Sequence, residues 1–224
     1  MKDFKKIPII INNFNRLSTL KKLITSLESR GYFNLKIIDN NSTYPELLDF
    51  YNQTEYKVYR LKKNIGFKAL WKTPVFLAHM FDYFCYTDSD LEIIDECPDD
   101  FMEVFYKYLK SNPEIHKIGF SLKIDDLPDH YERKNEVIEW ESKFYNHEKD
   151  HNMFIAPIDT TFALYRPFSK RGKRDGSVEM IRTGYPYQMR HLPWYVNSKK
   201  LSEEEKYYIE SVKKPTHWTS SKKE

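Results

Sequence analysis

Two hydrophobic rhythms alternate along the first 125 residues of this 224-residue chain. Pro8-Ile9-Ile10-Ile11 is an unbroken apolar run, as expected of a strand covered on both faces of a parallel sheet. Leu20, Leu23, Ile24 and Leu27 then recur at helical spacing, and Gly31 is placed to stop that helix. Leu35-Lys36-Ile37-Ile38 predicts a second strand, Asn40-Asn41-Ser42-Thr43 a turn, and Pro45-Glu46 the opening of a short helix. Further strands are expected over residues 57–61, 83–86 and 118–122. Phe101, Val104, Phe105, Tyr108 and Leu109 mark an amphipathic helix between the last two. Strands alternating with helices in this way predict an α/β fold with a mostly parallel sheet. Such sheets bind ligands at the carboxyl ends of their strands. That rule places Asn12-Asn13, Asp39 and Asp88-Ser89-Asp90 on one rim, because each cluster directly follows a strand.

Beyond residue 125 the rhythm changes. Residues 129–150 are charged and helix-prone. Phe154-Ile155-Ala156 and Thr161-Phe162-Ala163-Leu164-Tyr165 predict two short strands with Asp159 between them. Residues 169–176 are basic and contain glycine, as expected of a mobile loop. Within it Lys170-Arg171-Gly172-Lys173-Arg174 is either a solvated surface or a clamp for an anion. Ser202-Glu203-Glu204-Glu205 is a capping-box pattern that starts a last helix, to about residue 213, before a frayed tail. With no internal repeat and no second core, residues 1–224 are expected to form one domain.

Composition narrows the partners. A net charge of +3 is too slight for a nucleic-acid binder. Cys85 and Cys97 have no metal-site spacing, which points to a reduced, cytoplasmic setting. The N-terminus lacks a signal-peptide core, and no stretch approaches the ~20 apolar residues of a membrane helix. A soluble protein without membrane insertion is expected. Seventeen Tyr and fifteen Phe imply either an aromatic core with solvated hydroxyls or a cleft that stacks sugars or bases.

The sharpest chemical signal is Tyr83-Phe84-Cys85-Tyr86-Thr87-Asp88-Ser89-Asp90. Residues two apart on an extended backbone project to the same side, so a strand end can aim both carboxylates at one hard cation. Paired oxygen ligands suit Mn²⁺ or Mg²⁺, which bind through one or two carboxylates plus substrate phosphates. The implied ligand is a nucleoside diphosphate.

These segments together resemble the GT-A-fold, nucleotide-sugar-dependent glycosyltransferases of the family-2-like group. The likeness is carried by Asn12-Asn13-Phe14-Asn15-Arg16, Ile37-Ile38-Asp39-Asn40-Asn41-Ser42-Thr43, Asn64-Ile65-Gly66-Phe67 and Thr87-Asp88-Ser89-Asp90-Leu91, in the family's order. It continues through residues 157–165 and Arg190-His191-Leu192-Pro193-Trp194-Tyr195. The resemblance implies a Rossmann-like, mostly parallel central sheet with flanking helices and a small acceptor-side β element. Residues 1–125 would form the nucleotide-sugar half, 126–200 the acceptor half and 201–224 a C-terminal helix and tail.

The resemblance also distributes roles. Asp90 would bind the metal directly, and Asp88 would contact the ribose or a metal-bound water, with Ser89 a tolerant middle position beside Thr87. His191 resembles the family's late histidine that closes the metal site. Asp39 would accept the imide N–H of uracil; its alternative is a turn that caps the following helix. Asn12, Asn13 and Arg16 precede a helix N-terminus that favours anions, or form a plain surface loop. Asn64 and Lys68 would serve the phosphates, or only the turn at Gly66.

A base for the acceptor hydroxyl is sought in the second half. Asp159 is the candidate, against a turn-forming role, with Glu139, Glu141 and Asp126 in reserve. Trp140, Trp194 and Tyr195 offer stacking faces or core packing. The expected activity is metal-dependent transfer of a sugar from a UDP-sugar, with inversion favoured, to a glycan or other hydroxyl acceptor. GDP or dTDP donors stay open, as does a place within a larger multidomain enzyme. Two rivals remain: a sugar nucleotidyltransferase of the same fold, disfavoured by the lack of a Gly-rich phosphate loop, and a non-catalytic nucleotide- or glycan-binding module. The Gln-x-x-Arg-Trp sequence of processive members is missing.

Overall fold

The structure, a computed structural model, describes residues 3–169 and 179–212. The first half runs β1 (Ile9–Asn13), α1 (Ser18–Glu28), β2 (Leu35–Asp39), α2 (Pro45–Gln53), β3 (Lys57–Arg60), α3 (Val75–His79) and β4 (Phe84–Asp88). Then follow β5 (Leu91–Ile93), α4 (Phe101–Ser111), β6 (Ile115–Leu122), α5 (Lys134–Ser142), β7 (Glu148–Asp150), β8 (Met153–Ile155), β9 (Ala163–Tyr165), β10 (Glu179–His191) and α6 (Glu203–Ser211). All ten strands join one sheet in the order β3-β2-β1-β4-β9-β6-β10-β8-β7, with β5 pairing β10.

The apolar run of β1 is covered on both faces, as its sequence requires. Ile9 and Ile11 join Leu20, Leu23, Leu27, Phe101 and Phe105 in one core. Ile10 packs on the opposite face with Ile38, Phe84, Tyr86 and Tyr165. Fully burying such a side chain is worth roughly 1.5–3 kcal/mol, so three consecutive buried isoleucines anchor the centre of the sheet. The first helix ends where expected: Gly31 N–H donates to Glu28 O and Tyr32 N–H to Leu27 O.

The sheet is mostly parallel, with one departure that matters. β9 runs antiparallel between β4 and β6, pairing Phe84 with Tyr165 and Gly119 with Ala163. The approach is close: a Cβ on Gly119 would meet Phe162 O at 2.4 Å. Reversal brings the amino end of β9 to the rim where its parallel neighbours present their carboxyl ends. β10, which the sequence pattern did not announce, runs parallel to β6. Its register jumps from Thr183 opposite Phe120 to Gln188 opposite Ser121, so the intervening residues, Pro186 among them, leave the ladder.

Candidate functional site

Five strand ends converge on one cleft of about 1740 Å³. Asn12 and Asp88 are register partners on β1 and β4, and Asn12 Nδ2 donates to Asp88 Oδ1 at 3.0 Å. Asp88 N–H donates to Thr160 O at 2.9 Å, and the Thr160 hydroxyl donates to Asp88 Oδ2. On the other flank β5 pairs with β10, setting Leu91 opposite His191. Leu192 N–H donates to Asp90 O at 2.9 Å, and His191 Nε2 stands 3.6 Å from Asp90 Oδ2. The acids and the histidine, a hundred residues apart in sequence, are thus neighbours.

Their electrostatics are opposed. Burial pushes the Asp88 carboxyl up, and the charge of Asp90 adds to the push. Burial works against ionisation of Asp90 as well, but His191 and Arg16 outweigh it and hold that group down. His191 Nδ1 is buried with no hydrogen-bond partner among the described residues. The ring packs edge-on against Trp194 at 4.7 Å.

Several residues nominated by sequence serve the frame instead of the cleft. Strand alternation turns Asn13, Thr87 and Ser89 away from Asp88 and Asp90. Ser89 Oγ donates to Asn13 Oδ1 at 2.6 Å, and Asn13 Nδ2 donates to Tyr51 OH at 2.8 Å. Ser89 borders the cleft, but its hydroxyl is taken; Asn13 and Thr87 do not border it. Asp39 is 1% exposed and also off the cleft. Its carboxylate accepts from Ser42 N–H at 3.1 Å and lies 3.8 Å from Arg60 Nε, which is the turn-capping alternative. Lys68 does not line the cleft; its ammonium lies over the Phe67 ring, and Lys63 takes its place on the wall. Asn64 does line it, while its Oδ1 accepts from Gly66 N–H at 2.8 Å. Gly66 has φ +70° with open space around its Cβ position, so conformation and not crowding selects glycine there.

The N-terminus of α1 is not free for an external anion. Glu204 of α6 accepts from Leu17 N–H at 2.8 Å and from Ser18 N–H at 3.0 Å. Arg16 borders the cleft, buried, with Nη1 donating to Glu205 Oε1 at 2.6 Å.

The opposite wall is built from the 157–160 turn and α5. Asp159 lines the cleft next to Thr160. Two buried cations hold its turn from beneath. Lys117 Nζ donates to Ile158 O at 2.8 Å and Asp159 O at 3.3 Å, and Arg182 Nε to Pro157 O at 2.9 Å. Of the reserve acids, Glu141 is buried against Arg182 Nη1 at 2.6 Å, and Asp126 pairs with Arg190 and Tyr195 off the cleft. Glu139 lines the wall and is paired loosely with Lys143 at 3.8 Å. Trp140 is 47% exposed on that wall, whereas Trp194 is buried. The basic segment Lys170–Arg174 lies outside the described residues.

Residues 9–169 match the family model described as glycosyl transferase family 2. The chain belongs to this family. A comparison with curated proteins finds no match. Among solved structures, the fold is similar to GalNAc-T7 crystallised with UDP, GalNAc and Mn²⁺. The TM-score is 0.53 at 13% identity, over 83% of this chain and 43% of that one. Staphylococcus aureus TarS 1-349 gives a TM-score of 0.48 at 13% identity, over 84% of this chain and 60% of that one. The chain therefore spans less than two thirds of the length of either.

In this family 2 member the cleft also takes in residues to which the sequence pattern assigned no site role, Asn40, Lys63, Thr160 and Tyr208 among them. Asn40 bridges two loops, donating to Asn12 Oδ1 at 2.5 Å and accepting from Ile65 N–H at 3.1 Å. Its place in Asp39-Asn40-Asn41 was the available signal. Tyr208 had none, since it reaches the cleft only because α6 folds back across β1. Among the described residues no helix is long and apolar enough to cross a membrane.

Proposed function

We propose that the chain transfers a sugar from a nucleoside-diphosphate sugar, UDP-linked by preference, to a hydroxyl acceptor, with a divalent cation at Asp88 and Asp90. The observation that carries this reading is the meeting of Asp88, Asp90, His191 and Asp159 on one cleft from three separate segments. The donor set suits Mn²⁺ or Mg²⁺. Two half-buried carboxylates repel one another, and the cation would relieve that repulsion. Among the described residues no three His, Cys, Asp or Glu side chains form a ready-made cage. The protein ligands would therefore be completed by diphosphate oxygens, as is usual for Mg²⁺.

Asp90 and His191 would hold the ion, and Asp88, fixed by Asn12 and Thr160, would orient the ribose or an ion-bound water. The cation would supply Lewis-acid stabilisation of the departing diphosphate. Arg16, Asn64 and Lys63 flank the space for its oxygens. Asp159 would take the acceptor proton as the acceptor oxygen bonds the anomeric carbon and the diphosphate oxygen leaves. A base opposite the leaving group implies inversion. Crystallisation of GalNAc-T7 with UDP and Mn²⁺ supports this choice of donor and metal.

Thermal-shift titration of UDP, GDP and dTDP, each with and without Mn²⁺, tests the reading. A ligand at about 100 times its Kd adds roughly 2.7 kcal/mol of stability. UDP should stabilise only with the metal, and Asp90→Ala should abolish that gain while leaving the unliganded midpoint near wild type. Stabilisation by no nucleotide, or by nucleotide regardless of Asp90, would reject it. Mn²⁺-dependent hydrolysis of UDP-sugar separates an enzyme from a binding module.

A further inference from the structure

Side chains along α6 engage the loop that follows β1 and the start of α1. Glu204 caps the N-terminus of α1, adding a bond from Ser18 Oγ at 3.0 Å. Glu205 accepts from Arg16 Nη1 at 2.6 Å. The Tyr208 ring lies under the Arg16 guanidinium at 3.8 Å. Ser211 Oγ accepts from Asn15 Nδ2 at 2.9 Å. The outcome for Arg16 is specific: one nitrogen is bonded and one face is covered. Nε and Nη2 are both buried and have no partner among the described residues.

A guanidinium offers two forked edges, and the one formed by Nε and Nη2 matches two oxygens of a carboxylate or phosphate. A buried arginine with that edge unpaired is costly to keep, because two desolvated donors go unsatisfied. The side chain borders the cleft close to Asp90, whose charge it feels. Left to itself, a long side chain there would swing onto Asp90 or out to solvent. Glu205 and Tyr208 prevent both.

From this geometry we infer that α6 is a positioning clamp that holds the Nε–Nη2 edge of Arg16 towards the diphosphate of the donor. Glu205 fixes the rotation of the guanidinium and Tyr208 its plane, while Glu204 pins the helix to the loop it serves. The inference rests on the functional reading above, which gives the cleft its diphosphate. It makes a helix distant in sequence a determinant of donor affinity, and assigns Glu205 and Tyr208 to positioning, not to catalysis.

The test compares UDP with uridine, both in saturating Mn²⁺, by calorimetry on the full chain. In Glu205→Gln and Tyr208→Leu the UDP affinity should fall roughly tenfold or more, the range seen when an outer supporting residue is removed. Uridine affinity should stay within about twofold, because uridine has no diphosphate for Arg16 to hold. Arg16→Lys, which lacks the forked edge, should lose as much, and adding Glu205→Gln to it should cost nothing more. A merely structural helix would lower UDP and uridine binding together, and its loss would add to that of Arg16→Lys; either result overturns the inference. Glu205→Gln carries the test alone if Tyr208→Leu unfolds. Wild-type protein that binds no nucleoside diphosphate overturns the functional reading itself, an outcome plainly distinct from equal losses in the variants.

Discussion

The two walls of the cleft are made differently. On the side of β1, β2 and β4, lining polar groups are bonded to one another and to their neighbours: Asn12 to Asp88 and Asn40, Asp88 to Thr160, Ser89 to Asn13. On the side of α5, Trp140 stands half in solvent and Glu136 and Glu139 face the opening. Only Val137 and Glu141 of that helix are buried. One wall is fixed in advance, and the other is supported from beneath and open above. Under the proposed function the first would hold the donor and the second would leave room for the acceptor.

Breaking the chemistry at the junction of the walls should give the largest effect. Asp159→Asn keeps the shape of the 157–160 turn but removes the proposed base. Transfer should fall ~10²–10⁴-fold while calorimetric affinity for UDP and Mn²⁺ holds. A near wild-type rate, or a product of retained anomeric configuration by proton NMR, would return Asp159 to a turn-forming role.

The support beneath the open wall comes next. Arg182 and Glu141 are a buried ion pair, and removing one partner strands the other. Glu141→Ala should cost roughly 3–5 kcal/mol in urea denaturation, as breaking a buried pair does. A loss below about 1 kcal/mol, the scale of an exposed pair, would show that the pair is solvated in solution. Gly119→Ala probes the strand that joins the walls. Its Cβ meets the Phe162 carbonyl, which is backbone and cannot swing aside. A destabilisation of about 1–3 kcal/mol is expected by the same measurement, as for other overpacked cores.

The smallest effect on stability sharpens the contrast. Trp140→Ala should change folding stability by no more than about 0.5 kcal/mol, as surface substitutions do. Its KM for acceptor should rise while its KM for donor stays fixed. A donor-side change would mean that the two walls are not independent.

The sequence was most legible where structure is local. β1 and β4 each read as an apolar run and β2 as one broken only by Lys36, with α1 and α4 as clean amphipathic stripes. Asp88, Asp90 and His191 lie together on the cleft, and only resemblance supplied the histidine. Periodicity could not reveal β10, because Gly184 and Pro186 interrupt it and its polar residues Arg182, Thr183 and Gln188 are buried by long-range partners. Asp39 and Lys68 show the converse limit. A residue at a strand end can be placed on the rim by its position, but whether it turns outward depends on neighbours such as Tyr51, Arg60 and Phe67. The α1 N-terminus was read as open because its occupant, Glu204, lies 186 residues further along the chain.

The reversed strand β9 also governs the order in which this sheet can be completed. β4 and β6 do not touch; each meets only β9 across the gap. During synthesis the ribosome delivers β4 and β6 well before residues 163–165, so each waits with an open edge of unpaired amides. Such edges invite pairing with other chains. The piece that closes this gap is a wedge of three residues, Ala163-Leu164-Tyr165, driven into the middle of the sheet and not added at its border. Maturation of the protein is thereby tied to a late and non-local event, of the sort that slows folding.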